Sequence, residues 1–226
     1  MIYFDKVSKI YSPSSIALDD VSFAVEPKEF VSIVGQSGAG KTTLLKLLIA
    51  EERPSDGKIF FESIDVNELK KKDLSLLRRK IGMVFQDFRL LPNKTAYENI
   101  AFAMEAAGRM DEEIEESVPQ VLELVNLTDK TWSFPHELSG GEKQRVAIAR
   151  ALVIQPDVII ADEPTGNLDP LNTWEIIQIL RKINDMGTTV LMATHNKSVI
   201  DSLGKRVITM EKGKIIRDDK EGRYIL

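Results

Sequence analysis

One run of eight residues, Gly35-Gln36-Ser37-Gly38-Ala39-Gly40-Lys41-Thr42, constrains this chain more than any other feature. It follows the apolar run 30–34 and precedes 41–52, where Leu44, Leu45, Leu47 and Leu48 recur at helical spacing, so the sequence reads strand, glycine-rich loop, helix. The spacing is that of a phosphate-binding loop, G-x-x-x-x-G-K-[ST]. Its glycines let backbone N–H groups close around phosphate oxygens, and the helix N-terminus adds its dipole. Lys41 would neutralise charge on the β and γ phosphates, the Thr42 hydroxyl would ligate Mg²⁺, and Thr43 completes the expected nucleotide-binding set. With glycine at about 7% of ordinary sequences, a chance match in a chain of this length is roughly a one-in-a-hundred event, before its context is counted.

Strand patterns at 2–7 and 17–25 precede this unit, and further strands are expected at 58–61, 81–85, 158–161, 188–194 and 206–210. A Lys-rich helical piece ends near Arg79, and a helix is expected over 171–186. Between 95 and 150 only helical patterns occur, at 95–107, 111–125 and 142–154, so a helical block interrupts the strand series. The acidic start of its middle helix, 111–116, reads as a solvated first turn placed favourably for the helix dipole. Strands alternating with helices indicate an α/β fold with a mostly parallel sheet. The 226 residues suit one domain, with a core and β lobe over about 1–86 and 155–226 and a helical subdomain over about 87–154.

Composition removes whole classes of chemistry. There is no cysteine, which excludes disulfides, thiolate zinc sites and cysteine nucleophiles, and only two histidines, His136 and His195, which excludes a His-rich metal centre. A formal net charge of −5 argues against a global nucleic-acid surface, and no nucleic-acid partner is expected. The first residues carry no secretory pattern, and no apolar run approaches the roughly 20 residues of a membrane span.

The run Val158-Ile159-Ile160-Ala161 is apolar without alternation, as in a strand buried on both faces, and ends in Asp162 and Glu163. Ligands of such sheets sit beyond the carboxyl ends of the strands, so both acids are expected at the same edge as the phosphate loop. Asp162 suits the surroundings of Mg²⁺, and Glu163 is the candidate base that orients an attacking water. His195 closes another strand at that edge, as a catalytic or a structural residue. Gln86 ends the strand 81–85, where its amide oxygen would meet Mg²⁺ or water. Leu138-Ser139-Gly140-Gly141-Glu142 precedes a helix, and Ser139 with Glu142 fits a capping box. Two adjacent glycines exceed what a cap requires and permit close approach of an anion. Tyr11, beside a Ser-Pro turn, is a candidate to stack on an adenine ring.

Taken in order, the phosphate loop, Gln86, Leu-Ser-Gly-Gly, the Asp162-Glu163 strand, Asn167-Leu168-Asp169 and His195 resemble the nucleotide-binding subunit of ATP-binding-cassette systems over essentially the whole chain. The resemblance implies ATP and Mg²⁺ as ligands, an antiparallel β lobe and a helical subdomain on the phosphate-loop core, and a head-to-tail homodimer closing on two ATP molecules. Ser139, Gly140, Gly141 and Glu142 would then contact ATP held by the other copy, and Asp169 would join the two sites. Hydrolysis would be assigned to Glu163 and His195, and Mg²⁺ to Thr42, Gln86 and Asp162, partly through water.

The stretch 85–100 is similar to the bacterial cell-division branch of that family. That implies a peripheral protein on the cytoplasmic face of the cell membrane with an FtsX-like integral membrane subunit. Phe88, Leu90, Leu91 and Phe102 form the expected dock. The alternatives are a lipoprotein-releasing or macrolide-type exporter subunit and a soluble DNA-repair ATPase. The latter's long coiled coils have no room between Gln86 and Ser139. Asn196-Lys197-Ser198-Val199 has the Asn-Lys of a guanine-reading motif but lacks its aspartate.

Overall fold

The computed structural model describes residues 1–220 and Gly222. In chain order the strands are β1 (Ile2–Ser12), β2 (Ser15–Val25), β3 (Phe30–Val34), β4 (Asp56–Phe61), β5 (Ile64–Asp65), β6 (Ile81–Phe85), β7 (Val158–Asp162), β8 (Thr189–Thr194), β9 (Arg206–Glu211) and β10 (Lys214–Asp219). The helices are α1 (Lys41–Leu48), α2 (Lys71–Arg79), α3 (Ala96–Ala107), α4 (Asp111–Leu124), α5 (Gly140–Leu152), α6 (Pro170–Asp185) and α7 (Lys197–Leu203). The chain packs as two units, one made of Met1–Arg78 and the chain from Thr189 onward, the other of Arg79–Thr188.

In the first unit β1 and β2 form one long hairpin, extending well past the strand ends expected from the sequence. Register shifts interrupt the pairing between Phe4 and Val7 and again toward Ile10, and Lys6 and Asp20 take left-handed backbone at φ 50° and 53°. Such bulges scramble the period-two pattern on which strand recognition depends. The displaced amides of Lys6 and Asp20 donate to the Ser22 and Ser8 hydroxyls at 2.8 and 3.0 Å. β4 pairs antiparallel with β1 and β5 with β4, giving the order β2-β1-β4-β5. Phe4, Leu18, Ile59 and Phe61 are buried here, and Phe4 stacks on Phe23 with ring centroids 4.7 Å apart.

The same unit holds a parallel group in which β3 lies between β8 and β9, with β10 antiparallel to β9. β3 and β8 are buried throughout, including Ser32, Thr189 and Thr194, as in parallel strands covered on both faces. β10 escapes a sequence reading because its residues are largely exposed and charged, and α7 because it is only two turns long.

The second unit pairs β6 and β7 in parallel, from Ile81 opposite Val158 to Phe85 opposite Asp162. Its helices begin on the residues that the sequence marks for capping. Thr95 and Glu98 form a reciprocal capping box on α3, Ser139 and Glu142 one on α5, and Asp169 caps α6. Glu98 and Glu142 are held below the usual carboxylate range mainly by these backbone hydrogen bonds. Ile100, Met104, Val118, Leu122, Val146, Ile148 and Ile176 are buried within the unit. At Gly82 a Cβ would lie 2.5 Å from the Ala151 carbonyl oxygen, so a glycine there lets β6 and α5 approach. Among the described residues no helix is long and apolar enough to cross a membrane.

Candidate functional site

The phosphate loop springs from the end of β3 and enters α1 through Gly40, which sits at φ 102° with its missing Cβ 2.4 Å from the Ala17 carbonyl oxygen. Gly35 is equally constrained, since a Cβ there would lie 2.3 Å from the Met210 carbonyl oxygen. Only glycine fits either place. No side-chain oxygen caps α1. Its positive end is thus fitted for an anion from outside the chain, unlike α3, α5, α6 and α7, which Thr95, Ser139, Asp169 and Asn196 cap. Gln36, Ser37 and Gly38 are exposed, Ala39 is buried, and Thr42 and Thr43 occupy the first turn. Lys41 is 7% exposed, and its ammonium donates to the carbonyls of Gly35 and Gln36 at 2.8 and 3.2 Å.

His195 is brought beside this loop by register. Val34 and Thr194 are opposite each other on β3 and β8, so Gly35 and His195 leave neighbouring strand ends. His195 is exposed. Tyr11 lies inside β1, and its hydroxyl donates to Glu52 Oε2 at 2.6 Å, just beyond α1. The Lys9 ammonium stands 5.0 Å from the ring centroid, yet 52% of Tyr11 stays exposed, which leaves ring surface for stacking. Burial and then Glu52 push its phenol above the ordinary value. Asn196 accepts from Val199 N and caps α7, which gives that asparagine a local role without a guanine.

In the second unit the same register logic recurs. Phe85 and Asp162 are opposite each other, so Gln86 and Glu163 leave neighbouring strand ends. Glu163 takes left-handed backbone at φ 48°, and its carbonyl accepts the Gly166 amide at 3.1 Å. A non-glycine residue in that region costs about 1–2 kcal/mol, and such strain gathers at functional positions. The Gln86 amide donates to Asn167 Oδ1 at 3.3 Å and lies against Gly166, where a Cβ would come within 2.7 Å of it.

At the start of α5, Ser139 is exposed, its hydroxyl accepts from Glu142 N at 3.3 Å, and Glu142 Oε2 accepts from Ser139 N at 2.7 Å. The two glycines differ. Gly140 meets only Leu168 Cδ2, at 3.4 Å from a built Cβ, whereas a Cβ on Gly141 would fall 1.8 Å from Asn172 Oδ1 and 3.1 Å from Asn172 Cβ. Gly141 therefore has a packing reason inside the chain, which the sequence reading assigned to an anion. Asp169 ties that neighbour in place, accepting from Asn172 N at 2.9 Å and Asn172 Nδ2 at 2.5 Å. Gly141→Ala is expected to destabilise the chain by about 1–3 kcal/mol, the usual cost of overpacking. Urea unfolding of the two proteins would reveal it, and Gly140→Ala should cost clearly less.

Beyond Gln86 the expected dock is partly open, with Phe88, Leu90 and Leu91 half-buried and Phe102 on α3 44% exposed. Sequence reasoning missed the residues that hold this segment. Arg150 donates to the carbonyls of Arg89 and Phe88 at 2.6 and 2.9 Å. Asn99, fully buried, accepts from Leu91 N at 2.7 Å and donates to Leu91 O at 3.1 Å. The only available signal was an amide side chain among the apolar positions of the α3 pattern.

Three kinds of comparison bear on these features. The family model described as ABC transporter matches residues 18–166. The chain is 50% identical over 224 residues to the cell division ATP-binding protein FtsE of Bacillus subtilis (strain 168), covering 99% of this chain and 98% of that one. It is 52% identical over 218 residues to FtsE of Streptococcus pneumoniae serotype 2 (strain D39 / NCTC 7466), covering 96% and 95%. Among solved structures, a dimeric post-hydrolysis state of the ATP-binding cassette MJ0796 bound to ADP and Pi superposes with a TM-score of 0.88 at 36% identity, covering 99% of this chain and all of that one. The cbiO1 subunit from Clostridium perfringens, part of the ABC transporter complex cbiONQ, gives 0.90 at 30% identity, covering 97% and 88%.

Proposed function

This chain belongs to the ABC transporter family, in its FtsE branch, and on that premise we propose that it is the ATPase of a cell-division complex, driving a membrane partner by opening and closing a dimer. It is an ATP-binding and ATP-hydrolysing protein. The observation that carries the site assignment is the phosphate loop itself, with α1 uncapped at Gly40 and Lys41 held at the loop. The loop amides and Lys41 bind the β and γ phosphates, and Tyr11 stacks on the adenine. Glu163 holds the attacking water in line with the γ-phosphate, with His195 keeping it in register.

Mg²⁺ suits the donors available. Among the described residues no group of three His, Cys, Asp or Glu side chains gathers to hold a metal. The Thr42 hydroxyl, the Gln86 amide oxygen and the Asp162 carboxylate are few and hard, which fits an ion that keeps waters and phosphate oxygens as its other ligands. When bound, it would neutralise charge on the phosphates.

Ser139, Gly140, Gly141 and Glu142 of a second copy contact the γ-phosphate in the closed dimer, with Asp169 joining the two sites. The dimeric MJ0796 cassette supports this arrangement. An FtsX-like integral membrane subunit docks on Phe88, Leu90, Leu91 and Phe102, which places the chain peripherally on the cytoplasmic face of the membrane. The helical stretch 87–154 then serves as the lobe that carries both the dock and the signature residues. The test is affinity purification from membranes with mass spectrometry of what co-purifies. Phe88→Glu and Leu91→Glu should each reduce recovery of the membrane partner at least about tenfold while ATP hydrolysis stays within about twofold, as for loss of an apolar anchor. Recovery of an export permease instead would redirect the assignment, and unchanged recovery would reject this surface.

A further inference from the structure

Beyond Gln86 the backbone adopts a conformation that it does not favour alone. Phe88 and Arg89 are consecutive left-handed residues, at φ 61° and 48°. Such a pair persists only where its surroundings over-determine it. Part of the support is local, with the Arg89 guanidinium 3.7 Å from the Phe85 ring centroid. The rest comes from α5. The fork of Arg150 spans both strained residues, Nη2 donating to the Phe88 carbonyl at 2.9 Å and Nη1 to the Arg89 carbonyl at 2.6 Å.

Arg150 makes no ion pair with any described residue, and burial without a neighbouring carboxylate pulls its guanidinium below the ordinary value. A half-buried cation thus holds two main-chain carbonyls. Nearer the start of α5, the fully buried Gln144 donates to the Phe85 carbonyl at 3.3 Å, while its own side-chain oxygen is buried without a hydrogen-bond partner. Two side chains of one helix therefore grip the main chain on either side of Gln86 and Asp87. The N-terminus of that helix is the Ser139–Glu142 signature, and Arg150 stands about 15 Å along the helix from Gly140 at the rise of an α-helix.

We propose that Arg150 is a positioning residue that locks the turn after Gln86 to the far end of α5, so that the signature helix and the Gln86 segment move as one body. This rests on the ATPase reading above. Because Arg150 grips carbonyls, it constrains the path of the turn whatever side chains stand at 88 and 89. It thereby ties Gln86 and the docking residues to the surface that meets the other copy's ATP.

The test uses the full chain with Arg150→Met, which keeps an apolar stem, and Arg150→Lys, whose single ammonium cannot reproduce the fork. Hydrogen exchange of residues 88–92 should rise at least about tenfold in Arg150→Met, with β7 and α6 changed less than about twofold. ATP turnover should fall about fivefold or more, with KM and fluorescent-ATP affinity within about twofold, and Arg150→Lys should lie between. A merely structural role predicts exchange rising throughout residues 79–188, and that result would overturn the lock. Unchanged exchange at 88–92, or full restoration by Arg150→Lys, would overturn it as well. If Arg150→Met does not fold, the local exchange of Arg150→Lys decides. Wild-type protein that neither binds nor hydrolyses ATP would refute the ATPase reading alone, because the exchange experiment still judges the lock without nucleotide.

Discussion

Glu163→Gln should bind ATP as wild type does and turn it over at least about a hundredfold more slowly, a loss of about 2.7 kcal/mol in transition-state stabilisation. The substitution is chosen for what it preserves. Glu163 holds a left-handed backbone at φ 48° directly after β7, and glutamine is isosteric and no worse suited to that conformation. What disappears is the negative oxygen that would accept a proton from the attacking water. Steady-state phosphate release and fluorescent-ATP titration should therefore separate, with turnover lost and affinity kept within a few fold. If closure depends on ATP and opening on hydrolysis, the variant should also accumulate as an ATP-bound dimer, measurable by light scattering after gel filtration. Hydrolysis near the wild-type rate would remove Glu163 from the role of base, whatever its position at the end of β7.

The parts of this site that are legible in the sequence are those whose chemistry is local. The phosphate loop needs glycines, Lys41 and Thr42 within a few residues, and the structure places the glycines between β3 and α1 with Lys41 and Thr42 opening the helix. The Ser139–Glu142 capping box is a three-residue relation and is found as read. The strand ends are legible because buried parallel strands are apolar without alternation, and register then brings Gly35 beside His195 and Gln86 beside Glu163. What escaped is held by side chains reaching distant main chain. Arg150 lies 61 residues from the carbonyl of Arg89, and nothing in a helical pattern marks an arginine that will turn inward to a strained turn. The bulges at Lys6 and Asp20 hid the second half of the β1–β2 hairpin, since a shift of one residue inverts the pattern by which a strand is recognised. Gly141 signals close approach in the sequence, but that Asn172 is a neighbour it must clear is visible only in the fold.

Lys41→Ala should weaken ATP binding at least about a hundredfold and abolish hydrolysis at millimolar ATP, because a buried charge-assisted contact to phosphate is worth about 1.5–3 kcal/mol and more when desolvated. Lys41 is 7% exposed, so its ammonium is shielded from water, and it sits where the Gly35 and Gln36 carbonyls orient it. Removing it takes away both the cation for the phosphates and the donor for those two carbonyls. A loss of binding could then follow from a distorted loop, and thermal unfolding with and without ATP distinguishes the causes. At about 100 times Kd, ATP should stabilise the wild-type chain by about 2.7 kcal/mol through mass action. The variant should show almost none of that gain while unfolding without ATP within a few degrees of wild type. A collapsed melting temperature without ATP would assign Lys41 to the fold of the loop. An intact ATP-dependent shift would show that the loop amides and the α1 N-terminus hold the nucleotide without it.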